Sequence, residues 1–142
     1  MAEDSLFKII DAPGRVFFIG DLHGCYEALQ AALARVDFNP GAGDILVSVG
    51  DLIDRGPDNL KCLELLNEPW FHAVRGNHED LAIMHLQNPG MEPVRRMWAQ
   101  NGGRWYAQLN DQDQARAQDL ILNKAAELPL AIEVRTAQGR RY

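Results

Sequence analysis

The sequence contains little cysteine and no excess of positive charge. Its only two cysteines, Cys25 and Cys62, stand far apart without a CxxC pattern. This excludes a disulfide framework and a cysteine-rich structural zinc site. The formal net charge is -6 and the isoelectric point is near 5.1. Nucleic acids and anionic membranes attract basic surfaces, so we expect neither as a partner.

Long apolar runs are also missing. No run approaches the roughly 20 residues that cross a bilayer, and the start Met-Ala-Glu-Asp-Ser lacks the features of a signal peptide. We therefore expect a cytoplasmic protein. The chain has 142 residues, of which 46% are hydrophobic, and this is enough to bury one core. A single domain over residues 1–142 is expected.

Strand and helix patterns alternate in the first part of the chain. Short apolar runs predict buried strands, and each is followed by a polar loop with glycine and then by helical apolar spacing. The predicted strands lie at 16–19, 45–49 and 71–74, and the predicted helices at 26–36, 60–66 and around 81–86. This order is typical of an α/β protein with parallel strands.

The second part of the chain is more helical. Helices are predicted at 91–98 and 112–128, a strand around Ile132 and Val134, and a turn at 137–139. A strand and a turn call for a second hairpin strand, yet the sequence ends soon afterwards. We therefore expect that the C-terminal portion of the domain is missing, that the last strand is an unpaired edge, and that the protein can self-associate through it.

The loops after the three predicted strands are rich in metal-ligating side chains. They read GDLHGC, GDLIDRGPDN and RGNHED. Because the carboxyl ends of parallel strands meet at one edge of a sheet, we expect these loops to lie together. The side chains expected there are Asp21, His23, Asp51, Asp54, Arg55, Arg75, Asn77 and His78.

The chemistry of these side chains favours a metal site. Asp21 and His23 would point the same way on an extended backbone and hold one ion, with Gly20 and Gly24 allowing a tight turn. Oxygen and nitrogen ligands without thiolates suit manganese, iron or zinc and do not choose among them. Asp51 lies centrally and could bridge two ions, a device that activates water against phosphate esters.

The arginines and the remaining polar residues complete this interpretation. The forks of Arg55 and Arg75 suit a phosphoryl group, so the loops predict metal-assisted hydrolysis of phosphate esters. Other residues have expected structural roles. Asp58, Glu79 and Asp80 are expected to cap helices. His72 and His85 are expected to be ordinary surface or helix residues, and Trp98 and Trp105 to be packing residues.

The motifs GDLHG, GDLIDRG and RGNHE, in this order and spacing, resemble the signature of the phosphoprotein phosphatase branch of the metallophosphoesterases. The longer segments GDLHGCYEAL, VSVGDLIDRGPDNLKCLELL, WFHAVRGNHED and AAELPLAIEV resemble bacterial and phage serine/threonine protein phosphatases of the lambda type. The resemblance runs from about Arg15 to the last residues. It implies the calcineurin-like fold, an α/β fold with a sheet core flanked by helices.

The resemblance implies two divalent metal ions. Asp21 and His23 would hold the first, Asp51 would bridge both, and Asn77 would hold the second. Manganese is the expected metal, with iron, zinc, nickel or magnesium as alternatives. Family members continue into a segment with two further metal-binding histidines and a phosphate-binding arginine. None has a counterpart in this sequence, so the second site is expected to be incomplete.

The resemblance also implies roles around the substrate. His78 would protonate the departing oxygen, Asp54 would orient His78, and Arg55 and Arg75 would bind the phosphate. The expected function is hydrolysis of phosphoserine and phosphothreonine in proteins, or of small phosphoesters. One alternative is a symmetrical diadenosine tetraphosphatase. The other is an inactive fragment of the fold that binds metal or phosphate.

Overall fold

The computed structural model describes residues 6–142, apart from the side chain of Arg140. The strands are β1 (Phe7–Asp11), β2 (Val16–Ile19), β3 (Ile45–Ser48), β4 (Phe71–Ala73), β5 (Ala131–Thr136) and β6 (Gly139–Arg141). The helices are α1 (Tyr26–Arg35), α2 (Asn59–Glu64), α3 (Asn77–Gln87), α4 (Glu92–Gln100) and α5 (Asp111–Asn123). Among the described residues, no helix has the length and apolar character needed to cross a membrane.

The predicted strand–loop–helix repeat forms one parallel sheet in the order β2-β3-β4. Its central strand, β3, pairs with β2 from Val16↔Ile45 to Ile19↔Ser48 and with β4 from Leu46↔Phe71 to Ser48↔Ala73. All four residues of β3 are buried. The three apolar runs therefore become neighbouring strands, and their loops emerge at the same edge, as predicted.

Two apolar clusters lie on opposite faces of β3. Leu46 belongs to the larger one, which includes residues of α2, α3 and α5 such as Leu63 and Ile121. Ile45 and Val47 point the other way, into a smaller cluster with residues of β1 and β5. This alternation along one strand gives three layers, in the order helices, sheet β2-β3-β4 and sheet β1-β5-β6.

The second sheet differs from the sequence-based expectation. β1, which the sequence pattern does not predict, pairs in parallel with β5, with Ile10 opposite Val134. β6 pairs with β5 in antiparallel fashion, with Thr136 opposite Gly139. The expectation that the strand around Ile132 is an unpaired edge was therefore wrong, because β5 is the middle strand of this sheet. The second strand of the hairpin is also present in the chain.

Two helices differ from the predicted bounds by more than two residues. The helix expected at 112–128 stops at Asn123, and a short 3₁₀ turn, Ala125–Glu127, follows it. The third helix begins at Asn77, well before the residues that predicted it. Its first turn consequently carries Asn77 and His78, which places both side chains directly at the carboxyl end of β4.

Candidate metal centre

Three loops meet at the carboxyl ends of β2, β3 and β4. The first loop covers residues 20–25, the second 49–58 and the third 74–76. Backbone hydrogen bonds join the first two, because the amides of Leu22 and His23 donate to the Asp51 carbonyl at 3.0 and 2.9 Å. The amide of Gly24 donates to the Leu52 carbonyl at 2.8 Å. The backbone alone therefore brings the His23 and Asp51 side chains together.

The backbone of these loops is unusual. Among the described residues, five that are not glycine have positive φ, and four of them lie in these loops: His23 at 45°, Asp51 at 54°, Asp54 at 80° and Arg55 at 79°. This conformation is uncommon for residues with a side chain and concentrates at functional sites. It persists here because the surrounding hydrogen bonds fix the backbone.

The first loop is arranged differently from the expectation. His23 has a left-handed φ, so Asp21 and His23 do not share an extended stretch of backbone. The turn still brings His23 Nε2 to 3.7 Å from Asp21 Oδ2. Gly24, with a φ of 72°, needs to be glycine, whereas a Cβ at Gly20 would meet nothing within 4 Å. Only the second of the two predicted glycine roles is therefore correct.

Glu79 joins the second loop to the third. Its carboxylate accepts hydrogen bonds from the amides of Asp51 at 2.7 Å, Leu52 at 2.9 Å and Gly76 at 3.0 Å. The hydrogen bond from Gly76 caps α3, as predicted. The other two come from the second loop and are not part of the cap. Burial raises the pKa of Glu79, and the three amides oppose this shift. This buried carboxylate fixes Asp51 relative to the start of α3.

Atoms that could hold a metal ion converge where the loops meet. His23, Asp51 and His78 each offer a ligand atom, and these atoms lie within 4.8 Å of one another. The ring centroids of His23 and His78 are 4.7 Å apart. His23 Nδ1 lies 2.9 Å from the carbonyl oxygen of Ile53. Because a carbonyl only accepts, Nδ1 carries the hydrogen and Nε2 keeps a free lone pair for a cation.

Asn77 lies against the same carboxylate. If its amide nitrogen faces Asp51, it donates to the two carboxylate oxygens at 3.1 and 3.0 Å. If its amide oxygen faces them, three oxygens meet and only a cation between them would make the arrangement favourable. The backbone amide of His78 also donates to Asp51 Oδ1 at 3.0 Å. Asn77 is thus placed to act either as a hydrogen-bond donor or as a metal ligand.

The donor set fits a divalent cation of hard or borderline character. Asp21, His23, Asp51 and Asn77 supply carboxylate, imidazole and amide groups without a thiolate. The Asp21 side chain is 55% exposed and lies at the rim of the site. The structure therefore brings the side chains of the predicted ligands together, with the His78 ring beside the side chains of His23 and Asp51.

Asp54 and His78 form a buried pair beside the metal-ligating atoms. Asp54 Oδ2 lies 2.8 Å from His78 Nδ1, and Asp54 is fully buried. Burial raises the pKa of Asp54, whereas hydrogen bonds from Trp105, His78 and Trp98 lower it. With Nδ1 bound to Asp54, only Nε2 of His78 is available for further chemistry.

Two tryptophans complete the surroundings of Asp54, and the sequence-based interpretation missed this role. Trp98 Nε1 donates to both carboxylate oxygens at 3.0 and 2.9 Å, and Trp105 Nε1 donates to Oδ1 at 2.8 Å. The expectation of packing residues was incomplete, because both indoles also donate hydrogen bonds. The sequence feature that could have indicated this role is the segment Asn101-Gly102-Gly103, which lies between the two tryptophans. The carbonyl of Gly102 accepts from the amide of Arg55 at 3.2 Å.

The two predicted phosphate-binding arginines differ in their surroundings. The Arg55 side chain is exposed at the edge of the site. Arg75 is held by its neighbours, since its Nε lies 2.7 Å from Asp80 Oδ1 and its Nη1 donates to the Ala126 carbonyl at 3.3 Å. The contact with Asp80 is an ion pair rather than an aligned hydrogen bond. Asp80 therefore pairs with Arg75 in addition to complementing the start of α3.

A family model described as calcineurin-like phosphoesterase matches residues 14–134 of the chain. This range contains β2 to β4, the three loops and most of β5. The match therefore covers all the side chains discussed above.

Curated relatives share the same segment. Serine/threonine-protein phosphatase 1 of Salmonella typhimurium is 41% identical over 137 residues, which are 95% of this chain and 61% of the relative. Serine/threonine-protein phosphatase 2 of Escherichia coli is 44% identical over 119 residues, 84% of this chain and 52% of the relative. The chain thus spans between half and two thirds of the length of these relatives.

A second group of relatives matches a shorter segment. The symmetrical bis(5'-nucleosyl)-tetraphosphatase of Shewanella baltica is 49% identical over 72 residues, 49% of this chain and 26% of the relative. Among solved structures, that of a proposed diadenosine tetraphosphatase matches with a TM-score of 0.59 and 25% sequence identity. The match covers 91% of this chain and 50% of that one.

Proposed function

The chain belongs to the calcineurin-like phosphoesterase family, and we propose that it hydrolyses phosphate monoesters with divalent metal ions held between its three loops. The family predicted from the three motifs is thereby confirmed, and membership implies divalent metal ions. The observation that carries the proposal is the position of the buried Asp54–His78 pair next to the ligand atoms of His23 and Asp51.

Each group of residues would have a defined task. Asp21, His23, Asp51 and Asn77 would hold the ions. Bound there, the ions would supply an activated water and neutralise charge on the phosphoryl group. We propose manganese as the metal, with iron, zinc, nickel or magnesium as alternatives. Among the described residues, Asp51 and Asn77 are the proposed ligands of a second ion.

His78 would act as the general acid. Its Nδ1 is held by Asp54, so the ring presents Nε2, which would carry the proton that the departing oxygen receives. Arg55, with its exposed guanidinium, would grip two phosphoryl oxygens, and Arg75 would contact the phosphate from the third loop. The family relationship supports these roles, because all four residues lie within the matched range.

Phosphoserine and phosphothreonine in proteins are the proposed substrates. The relatives named as serine/threonine-protein phosphatases match 84% to 95% of the chain. The tetraphosphatase relatives match about half of it but at higher identity, 49%, so a symmetrical dinucleoside tetraphosphate is the second candidate. We place the protein in the cytoplasm, as its sequence suggested.

Three substrates separate these candidates. The protein would be supplied with Mn²⁺ and assayed with p-nitrophenyl phosphate, a phosphoserine peptide and diadenosine tetraphosphate. We expect metal-dependent hydrolysis of the first two. His78→Asn should lower kcat about 10²- to 10⁴-fold, the usual contribution of a general acid. His72→Asn is the matched control, because His72 lies in β4 and contacts Lys8 rather than the site.

The outcomes distinguish the proposals from one another. Faster hydrolysis of diadenosine tetraphosphate than of the phosphopeptide would favour the second candidate. Metal binding without turnover of any substrate would contradict hydrolysis and favour a protein that only binds metal or phosphate.

A further inference from the structure

Two of the three tryptophans in the chain direct their indole N–H groups at one buried carboxylate. We propose that Trp98 and Trp105 are positioning residues, whose N–H groups hold Asp54 in the orientation that fixes the His78 ring. This inference rests on the proposed phosphoester hydrolysis, in which His78 is the proton donor. It assigns a role to two residues outside the three loops.

The contacts around Asp54 leave its carboxylate no freedom to rotate. Oδ1 accepts from Trp98 at 3.0 Å and from Trp105 at 2.8 Å, and Oδ2 accepts from Trp98 at 2.9 Å with His78 Nδ1 at 2.8 Å. The backbone is fixed as well, because the Asp54 amide donates to Asn59 Oδ1 at 2.7 Å. Oδ1 is thus held by both indoles, and Oδ2 is shared between Trp98 and the imidazole.

An indole N–H only donates, so it favours the form of Asp54 that accepts at both oxygens. A buried carboxylate without such donors would be strongly unfavourable, and it would turn to find another partner. This rotation would break its contact with His78 Nδ1. The tryptophans therefore act on the reaction through Asp54 and make no contact with the reacting atoms.

The neighbouring backbone is shaped to admit the indoles. A Cβ on Gly103 would lie 2.4 Å from Trp98 Nε1, so only glycine leaves space for this ring. The Trp98 and Trp105 rings meet edge to face, with centroids 6.2 Å apart and an interplanar angle of 85°. Trp98 is 3% exposed, and this rigid packing limits the orientations open to both N–H groups.

The third tryptophan provides a matched comparison. Trp70 packs edge to face against Phe38, with a centroid distance of 5.1 Å, and against Phe71 at 6.3 Å. Its partly buried ring packs against the larger apolar cluster, and none of the hydrogen bonds found among residues 6–142 involves its indole N–H. Trp70→Phe therefore removes an indole without removing a contact to Asp54.

The test compares leaving groups in the metal-loaded protein. Trp98→Phe and Trp105→Phe keep an aromatic ring and remove the N–H donor. A general acid matters more for phenyl phosphate than for p-nitrophenyl phosphate, because phenol is the poorer leaving group. We expect kcat for phenyl phosphate to fall about 10- to 100-fold. The fall in kcat for p-nitrophenyl phosphate should be clearly smaller, and KM should stay nearly unchanged for both esters. Trp70→Phe should have a kcat close to that of the wild type.

A double-mutant cycle tests whether the effect passes through Asp54. In an Asp54→Asn background, either Trp→Phe change should lower kcat no further, because the carboxylate that the indoles orient towards His78 has already been removed. Proton NMR of the metal-free protein gives a second readout. The indole N–H signals of Trp98 and Trp105 should exchange slowly with solvent, and both should shift in Asp54→Asn. The indole N–H signal of Trp70 should keep its position in that variant.

The results separate this inference from the function on which it rests. A wild-type protein without metal-dependent hydrolysis would overturn the proposed function, and the positioning role would fall with it. An active wild type whose Trp→Phe variants lose equal activity on both esters, or lose none, would leave the function standing and overturn the positioning role. Additive losses in the cycle would overturn it too.

Discussion

The two glycines of the first loop show how much one residue can decide. Gly24 has a φ of 72°, and a Cβ there would lie 2.7 Å from Asn59 Oδ1 and 3.1 Å from the backbone of Gly56. Gly20 has no positive φ and open space around its Cα. The motif looks symmetrical in the sequence, but only one of its glycines meets a steric limit.

We therefore expect different results from the same substitution at the two positions. Gly24→Ala should lower the free energy of unfolding by about 1–2 kcal/mol, the cost of a left-handed conformation for a residue with a side chain. Gly20→Ala should change it by no more than about 0.5 kcal/mol. Urea unfolding of the two variants and the wild type measures the difference. Equal losses would show that Gly20 is also under conformational constraint.

Residue type and position predicted which loops lie together, because a short loop after a buried strand can lead to only one edge of the sheet. The same reasoning could not identify the two tryptophan partners of Asp54 or the three amides bound by Glu79. Trp98 reaches Asp54 across a long stretch of chain, and Glu79 binds backbone groups, which carry no signal in the sequence. Such contacts depend on the packing of α3 and α4 against the loops.

At the scale of elements, strands were predictable where their own residues are apolar. β2, β3 and β4 begin where predicted and end at most one residue earlier than expected. β1 was missed because Ile10 is its only buried residue, so its sequence shows no clear alternation. β6 consists of three residues, two of them arginines. Both depend on β5 for their hydrogen bonds, and this pairing is a property of the folded sheet.

One ion pair joins the starts of β2 and β3 to the end of α1. Asp44 is 3% exposed and lies 2.7 Å from Arg15 Nη2, and it also accepts from the Asn39 amide at 2.8 Å. Arg15 additionally donates to the carbonyls of Val36 and Asp37. The hydrogen bond from Arg15 is the main reason that the pKa of Asp44 falls to about 2.

This lowered pKa predicts a defined dependence of stability on pH. The ordinary pKa of the carboxyl group is 3.8, so its contribution is complete above that pH and is lost as the pH falls towards about 2. Asp44→Asn should therefore be less stable than wild type at pH 6, and the two should converge between about pH 4 and pH 2. Thermal unfolding across this range measures the difference.

Asp37→Asn is the matched control for this element. Asp37 is exposed, and it accepts a hydrogen bond from Arg15 through its backbone carbonyl, which the substitution keeps. We expect a nearly constant and small difference from wild type over the same pH range. A difference between Asp44→Asn and wild type that stays the same down to pH 2 would show that the ion pair is not what stabilises this connection.

At the scale of the whole molecule, the three parallel strands place their loops together at one edge of the sheet. An ion bound between these loops should therefore stabilise the whole fold. Only the folded chain brings His23 and Asp51 together, and a ligand at 100 times its Kd adds about 2.7 kcal/mol to the stability of the state that binds it. For a chain of this size, this corresponds to a rise in Tm of about 5–10 °C. We expect Mn²⁺ to produce this rise and excess EDTA to reverse it.

The same measurement identifies the side chains that hold the ion. Asp51→Asn keeps the size of the side chain and removes its charge, so the rise in Tm should nearly disappear. Asp58→Asn removes a charge from the same loop, but Asp58 precedes α2 and does not belong to the group of converging ligand atoms. This control should respond to Mn²⁺ like the wild type. An equal rise in all three proteins would place the stabilising ions elsewhere on the acidic surface, because a cation held by Asp51 cannot stabilise a chain that lacks this carboxylate to the same extent.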